Sequence, residues 1–256
     1  MTKVYTGKSK DIYKKDENTC ILKFKNQMQA ADGRFFLMEN KARVLNNINS
    51  IIFEFLSKKN IPHHYLGKDD EESFLAKTAR PLPLECVVRR FAEGSYLKRN
   101  PDIETHHVFE DLVFEVFYKD DELNDPYIQR KEGKLFLYDQ TRSIDASGLI
   151  KEVDDIAGLD WDALGDISKR VFLLLEKELK KVGGILCDFK LEFGLCQGNL
   201  TLIDSIEPDG WRLWDGDPGN NLDRNDGYDR AFSESVQNSI RVKYDMAEKF
   251  IEKAFA

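Results

Sequence analysis

The residues with the clearest chemical potential lie in one short run, Cys187-Asp188-Phe189-Lys190-Leu191-Glu192-Phe193-Gly194. Over residues 185–193 apolar and charged side chains alternate, the pattern of a β-strand with two unlike faces. The alternation predicts Ile185, Cys187, Phe189, Leu191 and Phe193 on one face and Asp188, Lys190 and Glu192 on the other. Same-face neighbours on a strand sit about 7 Å apart, so a lysine stands between two carboxylates on a rigid element. After a turn comes Leu200-Thr201-Leu202-Ile203-Asp204. If the two runs form a hairpin, Asp204 returns near Lys190. An even pairing register puts it on the charged face, and a one-residue slip puts it on the other. Carboxylates gathered around a lysine suit Mg²⁺ and a polyphosphate, because Mg²⁺ takes few carboxylates and completes its shell with phosphate oxygens. The lysine would offset phosphate charge. The plain alternative is a solvated amphipathic strand at a sheet edge. The long apolar helix before the strand and its two phenylalanines weigh against that alternative without removing it.

Three further constellations could carry charge chemistry. Gly7-Lys8-Ser9-Lys10 places two lysines in a strand–turn–strand setting, where they could lie over phosphates. It is not a P-loop, since neither the GxxxxGK[ST] spacing nor a following helix is there. In Arg89-Arg90-Phe91-Ala92-Glu93-Gly94-Ser95, Arg89 ends an apolar strand and Gly94-Ser95 can open a short helix, an arrangement that seats a phosphate. Trp211-Arg212-Leu213-Trp214-Asp215 sets an arginine between tryptophans, for stacking or for the core. The pairs His63-His64 and His106-His107 read as surface polarity.

The elements that must position these residues are legible in outline. The first stretch is β-rich, with a strand at Thr19–Phe24. From Asn40 to Asn60 the pattern is helical, with Val44, Ile48, Ile51, Ile52, Phe55 and Leu56 on one face. Pro81-Leu82-Pro83 is the expected connection between two lobes, and Leu84–Val88 a strand. Lys119 to Pro126 is a charged loop. Residues 129–155 have no clean period, which predicts an irregular or partly stranded excursion. Asp162–Val182 is a helix that Asp160 or Asp162 can cap and Gly183-Gly184 can end. A last helix is expected from about Arg230 to Phe255, with Phe232, Val236, Ile240, Tyr244, Ala247 and Ile251 as its core stripe.

Composition narrows the partners. The 256 residues are 41% hydrophobic and 33% charged, ordinary for a globular protein, with a net charge of −8. That balance argues against a nucleic-acid partner. No apolar run approaches the roughly 18 residues of a membrane span. Met1-Thr2-Lys3-Val4-Tyr5 lacks the apolar core of a signal peptide, so a cytoplasmic location is expected. Cys20, Cys86, Cys187 and Cys196 are scattered and read as reduced thiols.

Taken together, Pro83-Leu84-Glu85-Cys86-Val87-Val88-Arg89 and Leu186–Gly194 resemble the two signatures of the SAICAR synthetase family. Gly7-Lys8-Ser9-Lys10, Ala31-Asp32-Gly33, Leu45-Asn46-Asn47, Gly94-Ser95, Lys119-Asp120-Asp121, Asp125-Pro126 and Pro208-Asp209 followed by Arg212-Leu213-Trp214-Asp215 match in family order over nearly the whole chain. The resemblance implies a two-lobed α+β fold related to ATP-grasp and kinase-like folds, with antiparallel sheets and flanking helices. Residues 1–80 would form a β-rich ATP-phosphate lobe and residues 81–256 a larger lobe with the metal and acceptor site. It implies ATP and Mg²⁺, with carboxyaminoimidazole ribonucleotide and L-aspartate as substrates and a homo-oligomer, commonly a dimer, as the assembly. Carried over to this sequence, Lys8, Lys10 and Lys190 would contact ATP phosphates, and the backbone near Arg80 and Leu82 would meet adenine. Glu192 and Asp204 would bind Mg²⁺, while Lys190 and Asp188 would be the catalytic pair. Arg89 and Ser95 would hold the ribonucleotide phosphate, and Asp188 and Arg212 would face its imidazole and ribose. Arg224 would add a cation on the acceptor side.

The chain also departs from the family pattern. The usual Asp-Glu-x-Ser-Pro-Asp becomes Asp204-Ser205-Ile206-Glu207-Pro208-Asp209. The segment Leu222–Tyr228 keeps little of Asp-Lys-Asp-x-Phe-Arg, offering Arg224 for the lysine and Tyr228, or a shifted Arg230, for the last arginine. The ATP half is therefore read more directly than the acceptor half. A related ATP-dependent amide ligase acting on another acid or amine, a kinase-like phosphotransferase, and a nucleotide-binding protein without turnover are the alternatives.

Overall fold

A computed structural model describes residues 1–29, 34–222 and 233–256. Elements follow in chain order as β1 (Thr2–Thr6), β2 (Lys10–Lys14), β3 (Thr19–Phe24), β4 (Gln27–Gln29), β5 (Phe35–Leu37), α1 (Lys41–Lys58), β6 (Tyr65–Lys68), β7 (Ser73–Lys77) and β8 (Arg80–Phe91). Then come α2 (Ser95–Arg99), β9 (Val108–Tyr118), β10 (Tyr127–Lys131), β11 (Lys134–Tyr138), β12 (Leu149–Asp154), α3 (Trp161–Lys181), β13 (Gly184–Cys196), β14 (Asn199–Ile203), β15 (Trp211–Asp215) and α4 (Glu234–Ala254).

Two antiparallel sheets carry the architecture. The first has the order β1-β2-β3-β7-β6, the second β12-β11-β10-β9-β8-β13-β14, with β15 also paired to β13. The irregular excursion expected at 129–155 is more ordered than its sequence period suggested: β10, β11 and β12 extend the second sheet as a meander. β11 buries Leu135 and Leu137 in the core, but every residue of β12 except Val153 is exposed, so no single apolar period runs through the stretch. The proline-rich connection at Pro81–Pro83 lies inside β8 rather than between elements. The ladder with β13 passes from Glu192↔Glu85 to Gly194↔Pro81, so β8 bulges where its prolines cannot donate.

The helices are seated by their predicted stripes. Asp160 caps α3 by accepting from the Ala163 amide, and Phe172 of α3 stacks on Phe189 of β13 with ring centroids 5.3 Å apart. The last helix begins at Glu234 with Ser233 as its cap; the expected start at Arg230 and the stripe residue Phe232 lie outside the described residues. Arg43 of α1 grips Glu248 of α4 through two hydrogen bonds of 2.8 and 3.0 Å. Lys41 of α1 is buried against Asp209, 2.7 Å away, and the Tyr244 hydroxyl of α4 donates to the same carboxylate. No helix among the described residues is long and apolar enough to cross a membrane.

The alternation along β13 needs one correction. Leu186 joins Phe189, Leu191 and Phe193 in the main core, whereas Ile185 and Cys187 pack with Phe91 and Trp214 in a separate cluster. The register against β15 shifts between Leu186 and Asp188, and this bulge inverts the faces on its N-terminal side. The charged row from Asp188 onward is unaffected.

Candidate active site

β13 is an interior strand, flanked by β8 on one side and by β14 and β15 on the other. Its ladder with β8 sets Asp188 opposite Arg89, Lys190 opposite Val87 and Glu192 opposite Glu85. Cross-strand partners share a face. The charged row of β13 therefore meets a second charged row, Glu85 and Arg89, on one floor. This disposes of the solvated edge strand: Asp188, Glu192 and Arg89 are all buried.

The floor divides into two clusters. At one end Lys190 Nζ lies 2.7 Å from Glu85 Oε1 and 3.3 Å from Glu192 Oε1. The cation lies between two carboxylates that would otherwise repel each other across the ladder. Lys119 completes this end, 2.6 Å from Glu192 Oε2. Burial opposes the charge on Lys190, but Glu85 and Glu192 outweigh it and raise its pKa. It stays protonated, so it serves as a fixed positive charge and not as a proton acceptor.

Asp204 reaches this cluster by an unexpected route. The hairpin pairs Glu192 with Ile203 and Phe193 with Leu202, the one-residue slip that would send residue 204 to the core face. The strand stops at Ile203 instead, and Asp204 turns into the left-handed region at φ 63°. Its carboxylate then lies 2.8 Å from Lys10 Nζ. Burial opposes ionisation of Asp204, but Lys10 and Lys190 overcome it and lower its pKa. Lys10 is likewise raised: burial disfavours its charge, and Asp204 and Glu207 restore it. Lys8 takes a different course. It is 63% exposed and pairs at 2.8 Å with Asp121, in the charged loop of the other sheet.

At the other end Asp188 turns away from Lys190. Its Oδ2 accepts from Arg89 at 2.7 Å and from Arg212 at 2.6 Å. Arg89 also donates its Nε to Glu115 Oε2 at 2.6 Å, and Arg99 donates to Glu115 Oε1 at 2.5 Å. Ser95, the first residue of α2, sits 3.5 Å from Arg89. Gly94 has φ 57°, and a Cβ built there would meet an Arg212 guanidinium nitrogen at 2.5 Å, so this backbone turn is shaped to let Arg212 pass. Trp211 and Trp214 of β15 are core residues; of the two readings of that segment, Arg212 is on the floor and the tryptophans are not.

Arg80 and Leu82, expected to meet adenine, sit at the start of β8, where Gly194 lets the Arg80 carbonyl approach closely. Arg224 and the Ala31-Asp32-Gly33 match lie outside the described residues. Several participants escaped the motif reading. Glu85 was inside a signature, and its alternation with Arg89 was the available signal. Lys119 was inside the match Lys119-Asp120-Asp121, without a role assigned to it, while Glu115 and Arg99 gave no signal, because only the sheet brings them in. One histidine was misread as surface polarity: His64 is buried, with burial pulling its pKa down to about 4, so its ring is neutral, whereas His107 is exposed as expected. The His64 Nε2–H donates to the Asp204 carbonyl at 2.9 Å.

Glu192 and Asp204 both sit among Lys10, Lys119 and Lys190, and two carboxylates so placed are the donor set that a substrate-completed Mg²⁺ site would use. Among the described residues no three His, Cys, Asp or Glu side chains form a cage. Mg²⁺ bound with nucleotide needs only one or two carboxylates, because phosphates supply further oxygens. Lysines on both sides would then face phosphate.

A family model for SAICAR synthetase matches residues 3–247. A phosphoribosylaminoimidazole-succinocarboxamide synthase of Streptococcus pyogenes serotype M1 is 34% identical over 251 residues, covering 97% of each chain. The crystal structure of the synthase of that name from Ehrlichia chaffeensis aligns with a TM-score of 0.77 and 25% identity, covering 98% of each chain. A SAICAR synthetase in complex with ADP aligns with a TM-score of 0.74 and 28% identity, over 94% of this chain and 96% of that one.

Proposed function

The chain belongs to the SAICAR synthetase family, and from that premise we propose that it is an ATP-dependent ligase. It joins the carboxylate of carboxyaminoimidazole ribonucleotide to the amine of L-aspartate, giving SAICAR, ADP and phosphate. The observation that carries this reading is the two-part floor on β8 and β13, with lysines and acids at one end and arginines around Asp188 at the other.

The chemistry requires two activations. A carboxylate is a poor acylating agent, so its oxygen first attacks the γ-phosphorus of ATP. The bond to ADP breaks and an acyl phosphate forms. The amine nitrogen of aspartate then attacks the acyl carbon, the C–O bond to phosphate breaks, and the nitrogen loses a proton. In both steps negative charge builds on phosphate oxygens. Lys10 and Lys190, held permanently protonated, stabilise it from fixed positions. Lys8 adds a charge at the exposed rim. Glu192 and Asp204 would hold Mg²⁺, which supplies Lewis-acid polarisation of the phosphate oxygens when bound. The backbone of Arg80 and Leu82 would edge the adenine.

At the second cluster Arg89, Arg99 and Arg212 gather around Asp188 and Glu115, and planar guanidiniums suit the oxygens of a phosphate monoester. Arg89 and Ser95 would take the ribonucleotide phosphate. Asp188 and Arg212 would orient the imidazole and ribose, with Arg224 added from the following segment. On this reading residues 1–80 serve the nucleotide and 81–256 the metal and acceptor. The enzyme works as a homo-oligomer in the cytoplasm; light scattering tests the first point. The deciding assay mixes the protein with ATP, Mg²⁺, carboxyaminoimidazole ribonucleotide and L-aspartate, and follows ADP and product together. Stoichiometric formation of both, dependent on both acceptors, supports the reading. ADP release independent of the acceptors, or no turnover, overturns it.

A further inference from the structure

The route by which Asp204 enters the site has a cause outside the site. On an extended path residue 204 would follow Leu202 toward the core, where Leu202 packs opposite Phe193. The left-handed backbone of Asp204 prevents this, and an aspartate adopts that conformation only at some cost. Something must hold the peptide. The Asp204 carbonyl accepts the Nε2–H of His64 at 2.9 Å, and two residues on, the Ile206 amide donates to Asn49 Oδ1 at 3.1 Å.

His64 is itself fixed from all sides. Its amide donates to the Leu202 carbonyl at 3.0 Å, and its carbonyl accepts from the Lys77 amide at 2.8 Å. Its ring meets Phe74 edge-on at 5.7 Å between centroids, with Phe53 at 6.0 Å. One residue therefore grips the end of β14 twice, at Leu202 through its backbone and at Asp204 through its ring. Because a carbonyl can only accept, the ring carries its proton on Nε2.

We propose that His64 is a positioning residue for Asp204: its Nε2–H holds the Asp204 peptide in the left-handed conformation that aims the carboxylate at Lys10 and at the metal position beside Glu192. This rests on the reading of Asp204 as a metal ligand and deepens it. Partners that orient a metal ligand without touching the metal typically contribute about 10–100-fold to metal affinity.

The test uses Mn²⁺ as the probe, with free Mn²⁺ read by electron paramagnetic resonance in the presence of ADP. His64→Leu keeps an apolar side chain without a donor, and His64→Gln restores an N–H donor. We expect Mn²⁺ affinity to fall about tenfold in His64→Leu and to return to within about twofold of wild type in His64→Gln. Wild-type affinity in a folded His64→Leu, or an equal loss in both variants, overturns the proposal. Should His64→Leu not fold, the wild-type long-range ¹H–¹⁵N spectrum decides. A slowly exchanging Nε2–H tautomer supports the proposal, and an Nδ1–H tautomer overturns it. Asp204→Asn separates the two levels. If Asp204→Asn binds Mn²⁺ as wild type does, the metal assignment fails, and the positioning role of His64 fails with it. If Asp204→Asn loses Mn²⁺ but His64→Leu does not, only the positioning role falls.

Discussion

Replacing Asp188 by Asn separates the two ends of the floor. The carboxylate is buried and holds Arg89 at 2.7 Å and Arg212 at 2.6 Å. The substitution keeps the shape and removes the charge, leaving Glu115 as the one carboxylate for the buried Arg89 and Arg99. Removing one partner of a buried ion pair costs about 3–5 kcal/mol. In a chain of this size each 1 kcal/mol lowers Tm by about 2–4 °C, so a loss of about 3 kcal/mol lowers Tm by about 6–12 °C. Inorganic phosphate should then raise Tm more in Asp188→Asn than in wild type, because the arginine cluster has gained positive charge. Scanning calorimetry with and without phosphate measures both effects. In the ligase assay, KM for the ribonucleotide should rise while KM for ATP stays put, since Lys190 pairs with Glu85 and Glu192 and not with Asp188. A Tm within about 2 °C of wild type would refute the energetic reasoning. A matching rise in KM for ATP would refute the division of the floor.

Other perturbations probe the same geometry. Lys190→Ala should lower kcat by about 10²–10³-fold, as loss of a preorganised charge-stabilising group does, with the far-UV circular dichroism unchanged; near-normal kcat removes its role. Gly94→Ala should displace Arg212, given the 2.5 Å approach and φ 57°, and weaken ribonucleotide binding in calorimetry with little change for ADP. Glu207 has its pKa raised by burial and by Asp209, above the unfolded value near 4.5. An acid raised on folding binds its proton more firmly in the native state, so stability from this group falls as pH rises from about 4.5 through the folded value. Glu207→Gln should therefore gain on wild type in urea unfolding as pH increases over that range; a pH-independent difference contradicts the assignment.

The sequence showed the strand of charges directly, because alternation is a local property that a ten-residue window reveals. Helix α3 was legible for the same reason, with its cap, Asp160, one of the two candidates. The pairing of those charges was not legible. Lys190 choosing Glu85 over Asp188 depends on the β8–β13 register, set by residues a hundred positions apart. The bulge between Leu186 and Asp188 inverted two expected faces without any glycine or proline to announce it. Asp204 arrived in the site through an odd register and a turned backbone, two departures that cancel and that no spacing rule anticipates. His64 looked like surface polarity because a buried neutral imidazole and a solvated one are the same letter.

The Pro62–His64 segment bears on how the molecule can open. The Leu202 amide donates to the Pro62 carbonyl at 3.0 Å, the His64 amide returns a bond to the Leu202 carbonyl, and the two strands run parallel there. This stitches the chain leading into the first sheet to the hairpin of the second. Along that seam the sheets cannot part without breaking hydrogen bonds among buried neighbours. The Lys8–Asp121 clasp is exposed instead, and such pairs hold by only about 0–1 kcal/mol. Between the two lies the buried Lys10–Asp204 pair at 2.8 Å, so parting the sheets from the Lys8 side would break first a surface pair that yields to salt and then a buried one that does not.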